Sequence, residues 1–165
     1  MAVIFLLGPG YWDPAKGIPP SDTPLKVRER LAAIFERDGH AVIIMEKASV
    51  IKGEGMIEKF DRLLHQAVTD VVIYWPPLSK MQTTYDEFIL LYERREFLRK
   101  KRIGVTVLYH PSVSSIGKDE FDVLEKGNRS RYLTDLVRLG VDALEWEDDE
   151  DLDEQAKLLS TQLRS

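Results

Sequence analysis

The amino-acid sequence predicts an α/β fold in which helices cover both faces of a mostly parallel sheet. The length of 165 residues suits one domain, so we assign residues 1–165 to a single unit. Short apolar runs rich in β-branched residues alternate with segments of helical period, which is typical of a doubly wound sheet. The connections from strand to helix are long, and those from helix to strand are short. We therefore expect one edge of the sheet to carry extended loops.

Five segments have the character of buried strands, because they are short and apolar on both faces. The first four are clear and the fifth is weaker: Val3–Leu7, Ala41–Met45, Val71–Trp75, Gly104–Tyr109 and Val141–Trp146. Strands of this kind belong to a parallel sheet that is covered on both sides.

The first helix has a clear beginning and end. Thr23 followed by Pro24 is the signature of an N-cap and first helical position, and Gly39 ends the helix. Four apolar residues between them recur at helical spacing, namely Val27, Leu31, Ile34 and Phe35.

The remaining helices follow the same logic. The second is indicated by apolar residues at helical spacing, namely Met56, Phe60, Leu63, Leu64 and Ala67. The others are expected over about 84–100, 130–139 and 152–163. This alternation predicts a five-stranded, three-layer, Rossmann-like domain with flavodoxin-like strand order.

The long connections predict where a ligand binds. In a parallel sheet every strand-to-helix loop leaves from the carboxyl edge, where open α/β folds bind ligands. All eight prolines lie in or beside these loops, which favours a preformed pocket. The four loops are Gly8–Thr23, Glu46–Gly55, Pro76–Thr83 and His110–Arg129.

Composition excludes several functions. With no cysteine, the chain has no disulfide, thiolate nucleophile, iron–sulfur cluster or Cys-ligated zinc, and three scattered histidines do not make a metal site. A formal charge of -5 argues against nucleic-acid binding. No apolar run reaches the ~18–20 residues of a membrane span. A strand-like run begins straight after Met1, without a basic signal region, so we expect a cytoplasmic protein with no membrane partner, metal or cofactor.

The first long loop is a candidate binding segment. Gly8, Pro9 and Gly10 allow a close approach of the backbone to a ligand, and Tyr11 and Trp12 can stack on a base. The loop has neither the dinucleotide fingerprint nor a P-loop. The alternative is that the two aromatic residues cap the core.

The start of the third helix carries candidate acids. Thr83 or Thr84 is a natural N-cap, and Asp86 or Glu87 completes a capping box. The functional alternative is that one acid points into a pocket beside aromatic residues such as Trp75, where a carboxylate suits glycosidic chemistry. Glu87 has the longer reach of the two.

His110 follows the fourth strand directly, at the same predicted edge. A histidine there can bind a phosphate or act as an acid or base, or its ring can be satisfied by the loop backbone. Both interpretations stay open.

The residues resemble the nucleoside 2-deoxyribosyltransferase-like family. Ile4–Pro9 is similar to the opening strand and Gly-Pro turn of that family, Asp70 to its acid before a later strand, and Thr83–Glu87 to its Gly-Thr-x-x-Glu motif, with Thr83 in place of the glycine. The resemblance implies that Glu87 is the nucleophile or electrostatic partner of the anomeric carbon. It also implies that Gly8, Pro9 and Tyr11 belong to the base and sugar pocket.

TIR-like domains are a neighbouring resemblance. Lys52–Gly55, followed by Met56, Ile57 and Phe60, is similar to their turn before the second helix, and their glutamate after the third strand serves NAD cleavage. Both resemblances imply attack on an N-glycosidic bond at Glu87. They also imply a homo-oligomer, because the related families complete their sites across subunits.

Our leading hypothesis is an N-glycosidase or 2-deoxyribosyltransferase acting on a small nucleoside or nucleotide. Glu87 acts at C1′, Asp86 assists orientation, and Tyr11 and Trp75 hold the base. The full set expected to bind substrate is Gly8, Pro9, Gly10, Tyr11, Trp12, Trp75, Thr84 and His110.

Two other classes of function stay open. The first is a non-catalytic nucleotide-binding or TIR-like signalling module, which fits the positions where the motif differs, such as Ile89 to Leu91. The second is an interaction domain that uses the basic segment 94–102 and the acidic segment 145–154.

Overall fold

The computed structural model describes residues 1–9, 14–76, 84–110 and 142–163, with the backbone alone at 14 and at 84–86. Its strands are β1 (Val3–Leu7), β2 (Ala41–Ile44), β3 (Asp70–Trp75), β4 (Gly104–Tyr109) and β5 (Asp142–Glu145). Within these residues they form one parallel sheet in the order β2-β1-β3-β4-β5. The predicted flavodoxin-like α/β fold is confirmed.

The helices of the described residues are α1 (Pro24–Arg37), α2 (Met56–Leu64), α3 (Thr84–Glu93), α4 (Arg95–Lys101) and α5 (Asp149–Gln162). Single 3₁₀ turns follow β1 and β2, at Pro14–Lys16 and Met45–Lys47. The helix expected over 130–139 lies outside the described residues. None of the described helices is long and apolar enough to cross a bilayer.

The helices cover the sheet from both sides. On one face α1 and α5 pack through Leu31, Phe35, Leu152 and Ala156 against the sheet. On the other face α2, α3 and α4 build a second core around residues such as Phe60. Because the strands are apolar on both faces, both layers bury them, as the sequence predicted.

The third predicted helix is two helices, which corrects the expectation of one helix to about residue 100. The chain turns at Arg94, whose N–H donates to the carbonyl of Leu91 in place of a regular helical bond. The Arg94 guanidinium forms a two-point ion pair with Asp61 of α2, and its Nη1 donates to the Leu90 carbonyl at 2.9 Å. This side-chain network favours the break and fixes α3 against α2.

The ends of two other helices also differ from expectation. α2 ends at Leu64, and Ala67 lies beyond it with a positive φ of 54°. α5 begins three residues early, because the Asp148 carboxylate accepts a hydrogen bond of 2.8 Å from the N–H of Asp151. An acidic cap of this kind also complements the helix dipole.

The acidic segment at the start of α5 has a partner on α1. Arg30 lies 2.9 Å from a carboxylate oxygen of Asp153 and 3.6 Å from one of Asp149. The acids therefore help to dock α5 on α1. Part of the acidic segment that the interaction-domain hypothesis assigned to a partner thus contacts α1 within the same chain.

Candidate functional site

The carboxyl edge of the sheet has a topological switch point between β1 and β3. The chain leaves β1 towards α1 on one face, whereas it leaves β3 towards α3 on the opposite face. Open α/β sheets bind ligands in the crevice that such a divergence creates. Gly8, Pro9 and Pro76 lie directly at this point, after the last residues of the two strands.

Glu87 reaches across the switch point. Its Oε2 accepts a hydrogen bond of 2.9 Å from the backbone N–H of Gly8. The next residue, Phe88, is buried and its ring lies 5.9 Å from that of Trp75, which anchors the first turns of α3 on the sheet. The carboxylate is thus fixed both by its helix and by the end of β1.

Gly8 is a position where only glycine fits. Its φ of 153° is unfavourable for a side chain, and a Cβ would lie 2.9 Å from Arg28 Cδ and 2.9 Å from the Tyr74 carbonyl oxygen. The sequence analysis expected a close backbone approach here. The structure adds that neighbouring protein atoms occupy that space.

Arg28 lies beneath the Gly8 turn and has no exposed surface. Its Nη1 donates to the Leu6 carbonyl at 3.3 Å, and its Nη2 lies 2.8 Å from a carboxylate oxygen of Glu46, which follows β2. Neither Nε nor Nη2 has a hydrogen-bond acceptor among the described residues, so the contact with Glu46 is an ion pair. A buried guanidinium therefore connects the ends of β1 and β2.

Sequence reasoning missed this pair. The available signal was that Arg28 stands in the apolar stripe of α1, three and seven residues before Leu31 and Phe35. A charged residue in such a stripe is almost never fully buried without a partner. The first acid after the neighbouring strand, Glu46, was the natural candidate.

A cavity of about 300 Å³ opens beside Glu87 on the α2–α3 face. Its charged lining is Glu46, Glu54, Lys59 and Glu87. Its other lining residues are mostly apolar: Met45, Val50, Gly55, Met56, Phe60 and Leu90. The cavity thus combines apolar side chains with three carboxylates and one ammonium group.

Glu54 differs from the other carboxylates of this cavity. Both of its oxygens accept hydrogen bonds from Arg62, at 2.7 and 2.9 Å. These hydrogen bonds lower the pKa of Glu54, so it stays an acceptor tied to α2. Glu46 and Glu87 are the other two carboxylates that line the cavity.

A second cavity, of about 290 Å³, lies at the same edge on the α1–α5 face. Tyr74, His110 and Trp146 form its aromatic part, with the His110 ring edge-on to Trp146 at 5.0 Å. Burial raises the pKa of the Tyr74 hydroxyl, which keeps it protonated. His110 therefore shares the edge with Glu87 but lines a different cavity.

The structure corrects the expectation for Trp75. The side chain has no exposed surface, because β3 turns it towards α3, where Phe88 covers it. It supports the site from beneath and offers no face to a base. Tyr74, one residue earlier, is turned to the other side of the sheet.

The other predicted residues are placed as follows. Gly8 and Pro9 are buried at the end of β1, and Thr84 and Asp86 lie in the first turn of α3, where the structure describes their backbone. Asp70 begins β3, so the acid that the resemblance matched lies at the amino edge, away from Glu87. The remaining three lie outside the described residues: Gly10, Tyr11 and Trp12.

A metal site does not emerge from the described part of the chain, in which no three His, Asp or Glu side chains are grouped to hold an ion. The chemistry available at the Glu87 cavity is that of three carboxylates, the Lys59 ammonium group, the Gly8 N–H and apolar side chains.

Comparisons with known proteins place the chain by fold. No family model and no curated sequence matches it. The rubredoxin oxygen:oxidoreductase of the anaerobe Desulfovibrio gigas is similar in structure, with a TM-score of 0.55 and 12% identity, over 98% of this chain and 36% of that one. The chain thus spans about a third of the length of that protein. Azoreductase AzrA has a TM-score of 0.41 and 10% identity, with 98% of both chains covered.

The class that fold and site define is a flavodoxin-like α/β domain with a cavity beside its switch point. These likenesses concern the fold alone.

Proposed function

We propose that the protein cleaves or transfers the N-glycosidic bond of a nucleoside, with Glu87 acting at C1′. The observation that carries this proposal is the position of the Glu87 carboxylate. It lies at the switch point, is oriented by the Gly8 N–H, and faces a cavity with an apolar wall. The sequence resemblance assigns the same residue to the same chemistry.

The proposed reaction needs little more than a positioned carboxylate. As the C1′–N bond breaks, its electrons leave with the base, which takes up a proton, and the sugar gains oxocarbenium character. Glu87 stabilises or captures C1′. Water then completes a hydrolysis, or a second base completes a transfer.

The cavity suits a nucleoside better than a larger ligand. Its volume of about 300 Å³ is at the lower end of the ~300–1,000 Å³ typical of ligand pockets. The exposed side chains of Val50 and Met56 supply an apolar surface for a base, a role that Trp75, with no exposed surface, cannot fill. This assignment replaces the contact expected from Trp75, whereas the contact expected from Tyr11 lies outside the described residues.

A non-catalytic nucleoside-binding module is the second candidate, and Leu90 favours it. In the family that the chain resembles, small residues follow the motif glutamate, whereas here Leu90 stands three residues after Glu87 and lines the cavity. The bulkier side chain narrows the space beside the carboxylate. Under this second proposal the protein binds a nucleoside but does not cleave it.

A thermal-shift screen followed by product analysis separates the two candidates. Wild-type protein is incubated with nucleosides, deoxynucleosides, their monophosphates and NAD, and each mixture is then assayed for released base. A shift with base release supports the enzyme, and a shift without release over long incubation supports the binding module. No shift and no release with any of these compounds contradicts both.

A further inference from the structure

Glu46 has the placement of a ligand-binding carboxylate. It lines the same cavity as Glu87, and its side chain retains 28% of its exposure. One oxygen, Oε2, lies 2.8 Å from Nη2 of Arg28, whereas Oε1 accepts no hydrogen bond within the described residues. The pair thus holds Glu46 in place and leaves one acceptor oxygen for a ligand.

Arg28 explains why this acceptor is fixed in place. The guanidinium is wholly buried, and a buried charge needs an opposite charge close by. Nε and Nη2 make no hydrogen bond within the described residues, and the Glu46 carboxylate, 2.8 Å from Nη2, supplies an opposite charge as an ion pair. The oxygen of Glu46 that does not face Arg28 can accept a hydrogen bond from a hydroxyl group.

The position of Glu46 in the fold indicates what it would accept. It follows β2, which pairs with β1, at the edge where the Gly8 turn begins. In doubly wound nucleotide-binding folds, an acidic residue after the first crossover accepts a hydrogen bond from the ribose 2′-hydroxyl. Glu46 occupies the corresponding place, without the glycine-rich dinucleotide fingerprint.

The charges of the cavity disfavour a phosphate. Three carboxylates, those of Glu46, Glu54 and Glu87, line it against one ammonium group, that of Lys59. An anion would meet carboxylate repulsion, whereas hydroxyl groups would find acceptors. The ligand that fits this lining is uncharged and carries hydroxyl donors.

We infer that Glu46, held by the buried Arg28, binds the 2′-hydroxyl of an unphosphorylated ribonucleoside whose C1′ faces Glu87. The inference rests on the proposed function for the nature of the ligand. It adds the sugar class, because a 2′-deoxyribonucleoside lacks the donor that Glu46 would meet. Of the two proposed activities it favours ribonucleoside hydrolysis over 2-deoxyribosyl transfer.

The test compares ribonucleosides with their 2′-deoxy counterparts. Affinities of adenosine, guanosine, cytidine and uridine, and of the four matching deoxynucleosides, are measured by calorimetry for wild type, Glu46→Gln and Glu29→Gln. Glu29 is the matched control, since its carboxylate lies on the surface of α1 beside Lys26 and Lys47 and does not line the cavity. Base release is assayed in the same mixtures.

We expect at least one ribonucleoside to bind about tenfold tighter than its deoxy counterpart, a typical factor for one hydrogen bond to a charged group. Glu46→Gln should bring this ratio close to one, and Glu29→Gln should leave it unchanged. Equal affinities in wild type, a preference for the deoxy form, or a ratio that survives Glu46→Gln would each overturn the inference. If Glu46→Gln does not fold, the ratio of ribonucleoside to deoxynucleoside affinity in the wild type still tests the inference.

Failure of the proposed function gives a different result. If the protein prefers ribonucleosides, this preference depends on Glu46 and no base is released, the sugar site is supported and the enzymatic function is contradicted. If base is released but ribonucleosides are not preferred, the enzymatic function is supported and the proposed 2′-hydroxyl site at Glu46 is contradicted. A wild-type protein that binds none of the eight nucleosides overturns the inference.

Discussion

The backbone N–H of Gly8 donates a hydrogen bond of 2.9 Å to the carboxylate of Glu87, 79 residues later in the chain. The bond joins the end of β1 to the beginning of α3 across the switch point. It makes the orientation of the proposed catalytic carboxylate dependent on the conformation of the first loop. Each contact around this bond therefore gives a prediction about stability or ligand binding.

Replacing Gly8 by alanine should destabilise the protein and impair the site. The new Cβ would lie 2.9 Å from the Tyr74 carbonyl oxygen, a backbone atom that cannot move aside cheaply. We expect a loss of about 1–3 kcal/mol, the range for overpacking and local strain. Thermal denaturation measures it, with Gly39→Ala as control, because Gly39 also has a positive φ but has open space around it. Equal losses in the two variants would contradict the close packing described for Gly8.

The Arg28–Glu46 pair should respond asymmetrically to removal of either partner. Arg28 has no exposed side-chain surface, whereas Glu46 has 28%. Glu46→Leu would leave a buried guanidinium without its carboxylate, which costs about 3–5 kcal/mol. Arg28→Met leaves a carboxylate that water can reach and should cost clearly less. Urea denaturation measures the loss of stability in both variants. A larger loss for Arg28→Met than for Glu46→Leu would contradict the prediction that the burial of Arg28 sets the cost of breaking the pair.

The Asp61–Arg94 pair should give a pH-dependent contribution to stability. The hydrogen bonds from Arg94 lower the pKa of Asp61, and burial opposes them more weakly. Because the folded pKa lies below the unfolded value of about 3.9, the contribution is present above about pH 4 and is lost as pH falls through the folded pKa. Asp61→Asn should therefore lower stability at pH 7 by up to about 1 kcal/mol and by less at pH 3. The same difference at both pH values in urea titrations would refute the assignment.

His40 should be required for stability and not for ligand binding. The residue is 4% exposed, its Nδ1 accepts from the N–H of Ala2 at 3.0 Å, and its Nε2 lies 2.9 Å from the Ser160 carbonyl, to which it donates. His40→Leu would leave both backbone groups unpaired in the interior, at a cost of about 2–4 kcal/mol. His65→Gln, at an exposed position, should cost less than 1 kcal/mol. Comparable melting temperatures for the two variants would contradict the stabilising role of the hydrogen bonds that join His40 to Ala2 and Ser160.

The sequence predicted the strands and helix order well because apolar periodicity reports burial directly. Val3–Leu7 and Gly104–Tyr109 were predicted to the residue. The direction of each side chain was harder to predict. β3 is apolar on both faces, so alternation could not show that Trp75 is turned under α3 while Tyr74 faces α1 and α5.

The features that the sequence did not predict depend on contacts between distant residues. The break at Arg94 involves an ion pair to Asp61, 33 residues earlier, and Arg28 meets Glu46 only because β1 and β2 are neighbours. Local propensity carries no information about such pairs. Glu87 could be singled out because its helix start and the family resemblance are both local in sequence.

The most direct test of the central claim is base release from the best-binding nucleoside by wild type, Glu87→Gln and Glu93→Gln. Glu93 is the control, because it lies on the same helix with its side chain 62% exposed. We expect Glu87→Gln to lose at least about a hundredfold in rate, because it removes a group that stabilises the transition-state charge. Its nucleoside affinity should change little, and Glu93→Gln should behave as wild type. Full turnover by Glu87→Gln would contradict the assignment of the chemistry to this carboxylate.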